Sequence, residues 1–161
     1  MAEFRASAVT DASAHDLLTH YFADRARSFP PSMGEYRTVF PNPEDFVPPR
    51  GEFLIVEEEG RDVGCGGIRL VDHAAGVTRF EVKHVWVEPD ARGTGLGGAL
   101  LAELEARALA FGASEVVLDT NVAQESAARL YTRSGYVEIP PYNSNPNATH
   151  WYAKNLTTEL E

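Results

Sequence analysis

Residues 85 to 101 read Val-Trp-Val-Glu-Pro-Asp-Ala-Arg-Gly-Thr-Gly-Leu-Gly-Gly-Ala-Leu-Leu. An alternating apolar segment, Val77 to Val87, runs into Pro89, which lacks a backbone donor and closes a strand. Beyond the loop, Leu96, Leu100, Leu104 and Ala108 recur at helical spacing as far as Gly112. The stretch therefore predicts a strand, a glycine-rich turn and a helix from Leu96 to about Phe111. Four glycines in the turn remove Cβ atoms, so a ligand can approach the backbone closely. The free amides and dipole of a helix start favour a phosphate or pyrophosphate there. Arg92 adds a fixed positive charge. In a chain with 14 basic against 24 acidic residues and a formal charge of -10, that is a local anion site set against the general field.

On the N-terminal side, residues 3 to 9 alternate weakly as an edge strand. Asp11 is placed to cap a helix through about Phe29, with Leu17, Leu18, Tyr21 and Phe22 on its apolar side. Residues 30 to 50 hold Pro30, Pro31, Pro41, Pro43, Pro48 and Pro49, which forbids a long helix and predicts a loop of the kind that covers or builds a site. Glu52 to Val56, Asp62 to Val71 and Val77 to Val87 read as three strands of an antiparallel meander. On the C-terminal side, Ser114 to Thr120 reads as a strand and Gln124 to Arg133 as a helix ending at Ser134-Gly135. A last strand pair, Tyr136 to Ile139 and His150 to Leu156, flanks a polar loop. A meander passing into a crossover unit predicts a mixed α/β fold with helices packed on a mixed sheet.

Gly93, Gly95 and Gly98 also satisfy Gly-x-Gly-x-x-Gly, a dinucleotide fingerprint when it follows a first strand. Here the loop follows a meander, and a single further crossover unit leaves no room for two mononucleotide halves. No Lys-Ser/Thr follows the glycines, which excludes a Walker loop.

Residues 85 to 101 closely resemble the acetyl-CoA motif of the GNAT N-acetyltransferase superfamily, Gln/Arg-x-x-Gly-x-Gly/Ala, through Arg92, Gly95 and Gly97. Downstream, Ala127, Leu130, Tyr131, Gly135 and Tyr136 match Ala-x-x-Leu-Tyr-x-x-x-Gly-Tyr/Phe. The two motifs cover about Val77 to Val137, and the tail is similar to a bacterial subgroup with Pro-Pro-Tyr-Asn before a final strand. The resemblance implies one domain over residues 1–161, with a meander, a βαβα unit, a splayed central sheet and flanking helices. It implies acetyl-CoA as co-substrate and no metal. The pyrophosphate would lie on the amides of Arg92, Gly93, Thr94, Gly95, Leu96, Gly97 and Gly98. The pantetheine arm would run beside Val85, Trp86 and Val87, where a backbone N–H near Val85 would polarise the thioester carbonyl. The family's Asn contact falls at Gln124 in this sequence, with Asn121 three residues earlier, and either amide could serve.

Acyl transfer to a primary amine requires loss of a proton from a group of pKa about 10.4, and the departing thiolate benefits from a donor. The resemblance puts Tyr131 at the family's donor position and makes Glu81, in Glu81-Val82-Lys83, the candidate base. Period 2 predicts Glu81, Lys83, Val85 and Val87 on one face and His84 on the other.

The acidic balance opposes nucleic-acid binding. One cysteine, Cys65, excludes an internal disulfide, and the five histidines show no metal-ligand spacing. No apolar run or leader pattern predicts a membrane span or signal peptide. The expectation is a cytoplasmic, bacterial acyltransferase acting on a small-molecule or peptide amine by direct attack, with a homodimer compatible with the resemblance. The acidic envelope predicts a cationic acceptor. The competing readings are a non-catalytic acyl-CoA-binding module and another enzyme holding a nucleotide cofactor in the same loop.

Overall fold

The computed structural model describes residues 2–156; Met1 and residues 157–161, which the single-domain expectation also spans, lie outside it. In chain order the elements are β1 (Ala2–Ala6), α1 (Ala12–Ser28), β2 (Gly51–Glu58), β3 (Arg61–Ala74), β4 (Val77–Val87), α2 (Leu96–Ala110), β5 (Glu115–Thr120), α3 (Glu125–Arg133), β6 (Val137–Ile139) and β7 (His150–Asn155). The seven strands form one sheet in the order β1-β2-β3-β4-β5-β7-β6. β4 and β5 are parallel across the α2 crossover, and the other described neighbours are antiparallel. The mixed sheet is as expected.

Helices cover both faces, which is why β2 is apolar at successive positions. Leu54 and Val56 join Leu100, Leu104 and Ala108 of α2. Phe53 and Ile55 join Ala14, Leu17, Leu18 and Phe22 of α1. Each fully buried leucine contributes about 1.5–3 kcal/mol. Asp11 stands at the N-cap of α1, but its side chain makes no capping bond and instead accepts from the Ser7 hydroxyl at 3.1 Å. The proline-rich segment forms two short 3-10 turns, Pro31–Met33 and Pro43–Phe46. The second seats Phe46 against β3, where a Cβ on Gly67 would lie 2.7 Å from its ring.

The expected alternation along β4 fails at one point. Cys65 opposes Trp86 and Gly67 opposes Lys83, so Gly66 faces two residues, His84 and Val85. This is a β-bulge, with His84 at φ 60. The extra residue inverts the alternation. Val82, Val85 and Val87 face α2, whereas Glu81, Lys83, His84 and Trp86 share the α1 side, Trp86 in its core and His84 against the Tyr21 and Phe22 rings. The predicted grouping of Glu81 with Val85 and Val87, and of His84 apart from them, is corrected accordingly.

Pairing between β4 and β5 is confined to Arg79–Glu81 against Glu115–Val117. Beyond Glu81 the strands diverge, and the free edge of β4 lines an opening in the sheet.

Candidate active site

Two cavities meet in that opening. One, of about 350 Å³, is walled by the glycine-rich loop, residues 85–87 of β4 and the α3 residues Ala127, Leu130 and Tyr131. The other, of about 310 Å³, lies between α1, the bulge and the end of β5. Arg25, Val85, Gln124 and Tyr131 line both. A molecule in one can therefore reach a molecule in the other only past these four residues.

The first cavity fits an extended, phosphate-bearing ligand. Gly93 and Gly95 adopt φ +84 and +87, and a Cβ built at either meets no atom within 4 Å. The loop thus presents bare backbone to open space. The first N–H groups of α2 have no intrahelical acceptor, and its dipole favours an anion there. Arg92 borders the cavity but is pinned: its Nε donates to the Val87 carbonyl at 2.7 Å, and Nη2 reaches Asp24 at 3.3 Å. Partial burial alone would raise the Asp24 carboxyl. The Trp86 indole N–H and the Arg92 charge outweigh it and hold the group below the usual carboxylate range. Trp86, Val87, Gly97 and Gly98 also line the cavity. Thr94 is off the wall, its hydroxyl turned to the Ala91 carbonyl at 3.1 Å. Leu96 borders the cavity although its side chain is buried in the core.

The two amide candidates separate. Gln124 stands at the junction, accepting from Arg25 and donating to Ser28 Oγ at 2.6 Å. Asn121 lies on the second cavity, its amide donating to the Asn147 carbonyl at 3.0 Å and its oxygen accepting from Ala123 N–H at 2.9 Å. Tyr131, 5% exposed, has its hydroxyl pushed up to about 12 by burial, with the Arg25 charge pulling the other way.

Glu81 is elsewhere. It is 1% exposed and lines neither cavity. Arg69 holds it at 2.9 and 2.8 Å, and the Tyr142 hydroxyl donates to it at 2.6 Å. A carboxylate so engaged and so enclosed has no open face for direct contact with an incoming amine. Glu81→Gln should lower stability by about 2–3 kcal/mol, below the range for a fully buried pair because Arg69 is one third exposed and also reaches Asp45. The pH profile of turnover should keep its shape. Urea midpoints and pH-rate curves check this, and a loss of rate restored at high pH would return the base role to Glu81.

Two wall residues were not singled out from the sequence, and a third was placed on the wrong face. Asp119, at the end of β5, accepts from Asn143 at 2.8 Å and Asn145 at 3.3 Å. Arg25 projects from α1, its guanidinium 5.0 Å from the Tyr21 ring centre. His84, assigned from period 2 to the other face, lines the second cavity. Its Nδ1 is buried with no hydrogen-bond partner among the described residues. Cys65 is fully buried, which raises its thiol, and it donates to the His84 carbonyl at 3.4 Å.

Comparison with known proteins bears on this arrangement. A family model described as the acetyltransferase (GNAT) family matches residues 14–136. The chain belongs to the GNAT acetyltransferase family. Among curated GNAT relatives, an IAA acetyltransferase of Azospirillum brasilense is 38% identical over 90 residues, 56% of this chain and 57% of that one. An amino-acid acetyltransferase of Azotobacter vinelandii is 36% identical over 92 residues, 56% of this chain and 20% of that one. The chain therefore matches less than two thirds of the length of either. A solved Klebsiella pneumoniae structure assigned as an acyl-CoA N-acyltransferase is 29% identical, with a TM-score of 0.73 over 97% of this chain and 98% of the other. A GNAT acetyltransferase of Elizabethkingia anophelis, solved with acetyl-CoA bound, shares the fold at 15% identity, with a TM-score of 0.65 over 96% and 98%. Among the described residues, no helix is long and apolar enough to cross a membrane and no group of three metal-ligating side chains occurs.

Proposed function

We propose that the protein transfers an acetyl group from acetyl-CoA to an amine by direct attack. The observation that carries this reading is the pair of cavities joined at Arg25, Val85, Gln124 and Tyr131. The glycine-rich cavity supplies a cradle for the phosphates and the second admits the acceptor. When bound, acetyl-CoA supplies an activated thioester.

The chain's own residues do the rest. Beyond Glu81 the β4 edge is unpaired with β5, which offers an edge to an amide-bearing arm, and a Val85 N–H aimed at the junction would polarise a carbonyl there. Asp119 holds an ammonium at its carboxylate until the nitrogen gives up its proton. Tyr131, protonated up to about pH 12, is a permanent donor towards a departing sulfur. With a thiol reference near 8.5, complete proton transfer from this hydroxyl is uphill by about 5 kcal/mol, so it acts as a hydrogen-bond donor. Net, starting from the ammonium, an N–C bond forms, the thioester C–S bond breaks, and of the two protons that nitrogen loses one passes to solvent and one to sulfur. The junction carries no thiol or aliphatic hydroxyl, which favours direct transfer over a covalent enzyme intermediate.

Tyr131→Phe should reduce kcat about 100-fold while CoA affinity stays near wild type. Free-thiol release and calorimetry measure the two quantities. Unchanged turnover would make Tyr131 a packing residue. CoA binding without thiol release from any amine would favour the non-catalytic acyl-CoA-binding module.

A further inference from the structure

The chain as a whole is strongly acidic, yet the wall of the second cavity is not. Its charged residues are Arg25, Arg37, Lys83 and Asp119, three cations against one carboxylate. These cations are poorly matched by the protein. Among the described residues neither Arg25 nor Arg37 has a carboxylate within 4 Å, and the nearest to Lys83 is Glu81 at 4.0 Å, already held by Arg69 at 2.8 Å. The cofactor phosphates do not account for Arg37 and Lys83 either, because these two line only the second cavity. Three cations against one carboxylate give this concave wall a positive field that favours an anion, although Arg37 is exposed and Arg25 is also held by Gln124 and the Tyr21 ring.

The remaining wall is aromatic, with Tyr21, Phe22, Phe29 and Tyr36. The rim is closed by two loops: Asn147 accepts from Arg37 N–H at 3.1 Å and donates to the Arg37 carbonyl at 2.8 Å. A volume of about 310 Å³ at the small end of ligand pockets suits a compact molecule.

We propose that the acceptor is a free amino acid with an apolar or aromatic side chain. Its carboxylate lies on the cationic side of the cavity, its amine towards Asp119 and Tyr131, and its side chain among the aromatic rings. This inference rests on the acetyl-transfer reading and reverses the cationic acceptor expected from net charge alone. The cations also disfavour the ammonium form of a bound amine, which aids deprotonation without a dedicated base.

The test compares phenylalanine, phenylalaninamide, phenethylamine and a Phe-Ala dipeptide as probes, by thiol release with acetyl-CoA and by calorimetric binding in the presence of CoA. Phenylalanine should be favoured over each of the others by about tenfold or more in kcat/KM and in affinity. The preference over the uncharged-tail probes should shrink between about 0.01 M and 0.15 M salt, and it should fall towards unity in the Arg37→Gln/Lys83→Gln double variant. Equal or better use of the amide, the decarboxylated amine or the dipeptide, a flat salt profile, or an unaltered preference in a folded double variant would each overturn the inference while leaving acetyl transfer standing. Selective binding of phenylalanine without thiol release would sustain an amino-acid site in this cavity and defeat the transfer reading, and with it the role of acceptor. Absence of both binding and thiol release with phenylalanine would overturn the inference.

Discussion

Gly95→Val is expected to weaken CoA binding at least 100-fold in a protein that still folds. Gly95 is the residue before the first turn of α2 and holds φ +87. A left-handed backbone costs an L-residue roughly 1–2 kcal/mol, a tolerable loss for a domain of this size. The added side chain meets no protein atom, since nothing lies within 4 Å of an ideal Cβ. It projects instead into the space where phosphate oxygens would approach the helix amides, and a branched side chain cannot withdraw from it. Arg92→Ala should cost less, because Asp24 already shares that charge and the backbone donors survive. Calorimetric titration with CoA, beside a thermal melt of each variant, measures both terms. Full affinity in folded Gly95→Val protein would remove the pyrophosphate from this loop.

Acid should expose the second large effect, at His84. Burial is the main cause that pushes its imidazole down to about 3 from an ordinary 6.5, with the charges of Lys83, Arg69 and Arg25 adding to it. The unfolded chain takes up a proton as pH falls through 6.5, whereas the folded chain refuses one until about 3. Stability linked to this group is therefore complete above about pH 6.5 and is lost as pH falls. The slope is about 1.4 kcal/mol per unit, or roughly 3 kcal/mol by pH 4. His84→Asn keeps a residue that tolerates positive φ and removes the titration. It should be less stable than wild type at pH 7, through lost ring contacts, and should close or reverse that gap by pH 4. Urea midpoints at the two pH values decide it, and a gap independent of pH would mean that the folded protein protonates His84 normally.

The parts of the molecule governed by neighbouring residues were readable in the chain. The glycine loop, the α2 periodicity and the meander depend on local pattern, and each element forms within a few residues of its expected bounds. The bulge was not readable, because an extra residue in β4 exists only relative to Gly66 on β3. That one displacement reassigned the faces of His84 and Val85. Glu81 resembled a base in sequence, and its engagement by Arg69, 12 residues away, and by Tyr142, 61 residues away, could not be read there. Arg25 and Asp119 became wall residues only when α1 and β5 closed on opposite sides of the opening in the sheet. The choice between Gln124 and Asn121 likewise turned on which loop each amide met.

The clasp between Arg37 and Asn147 has a bearing on how such a protein can diversify. It ties the proline-rich segment before β2 to the polar loop before β7, segments separated by 110 residues. Neither contributes to the glycine cradle, and neither is locked into the sheet register. Changes in the length or composition of these two loops would alter the acceptor's surroundings and leave the strand-turn-helix around the glycine cradle untouched. Acceptor and donor surroundings are thus carried by separable parts of the chain, which meet at the four residues where the two chambers join.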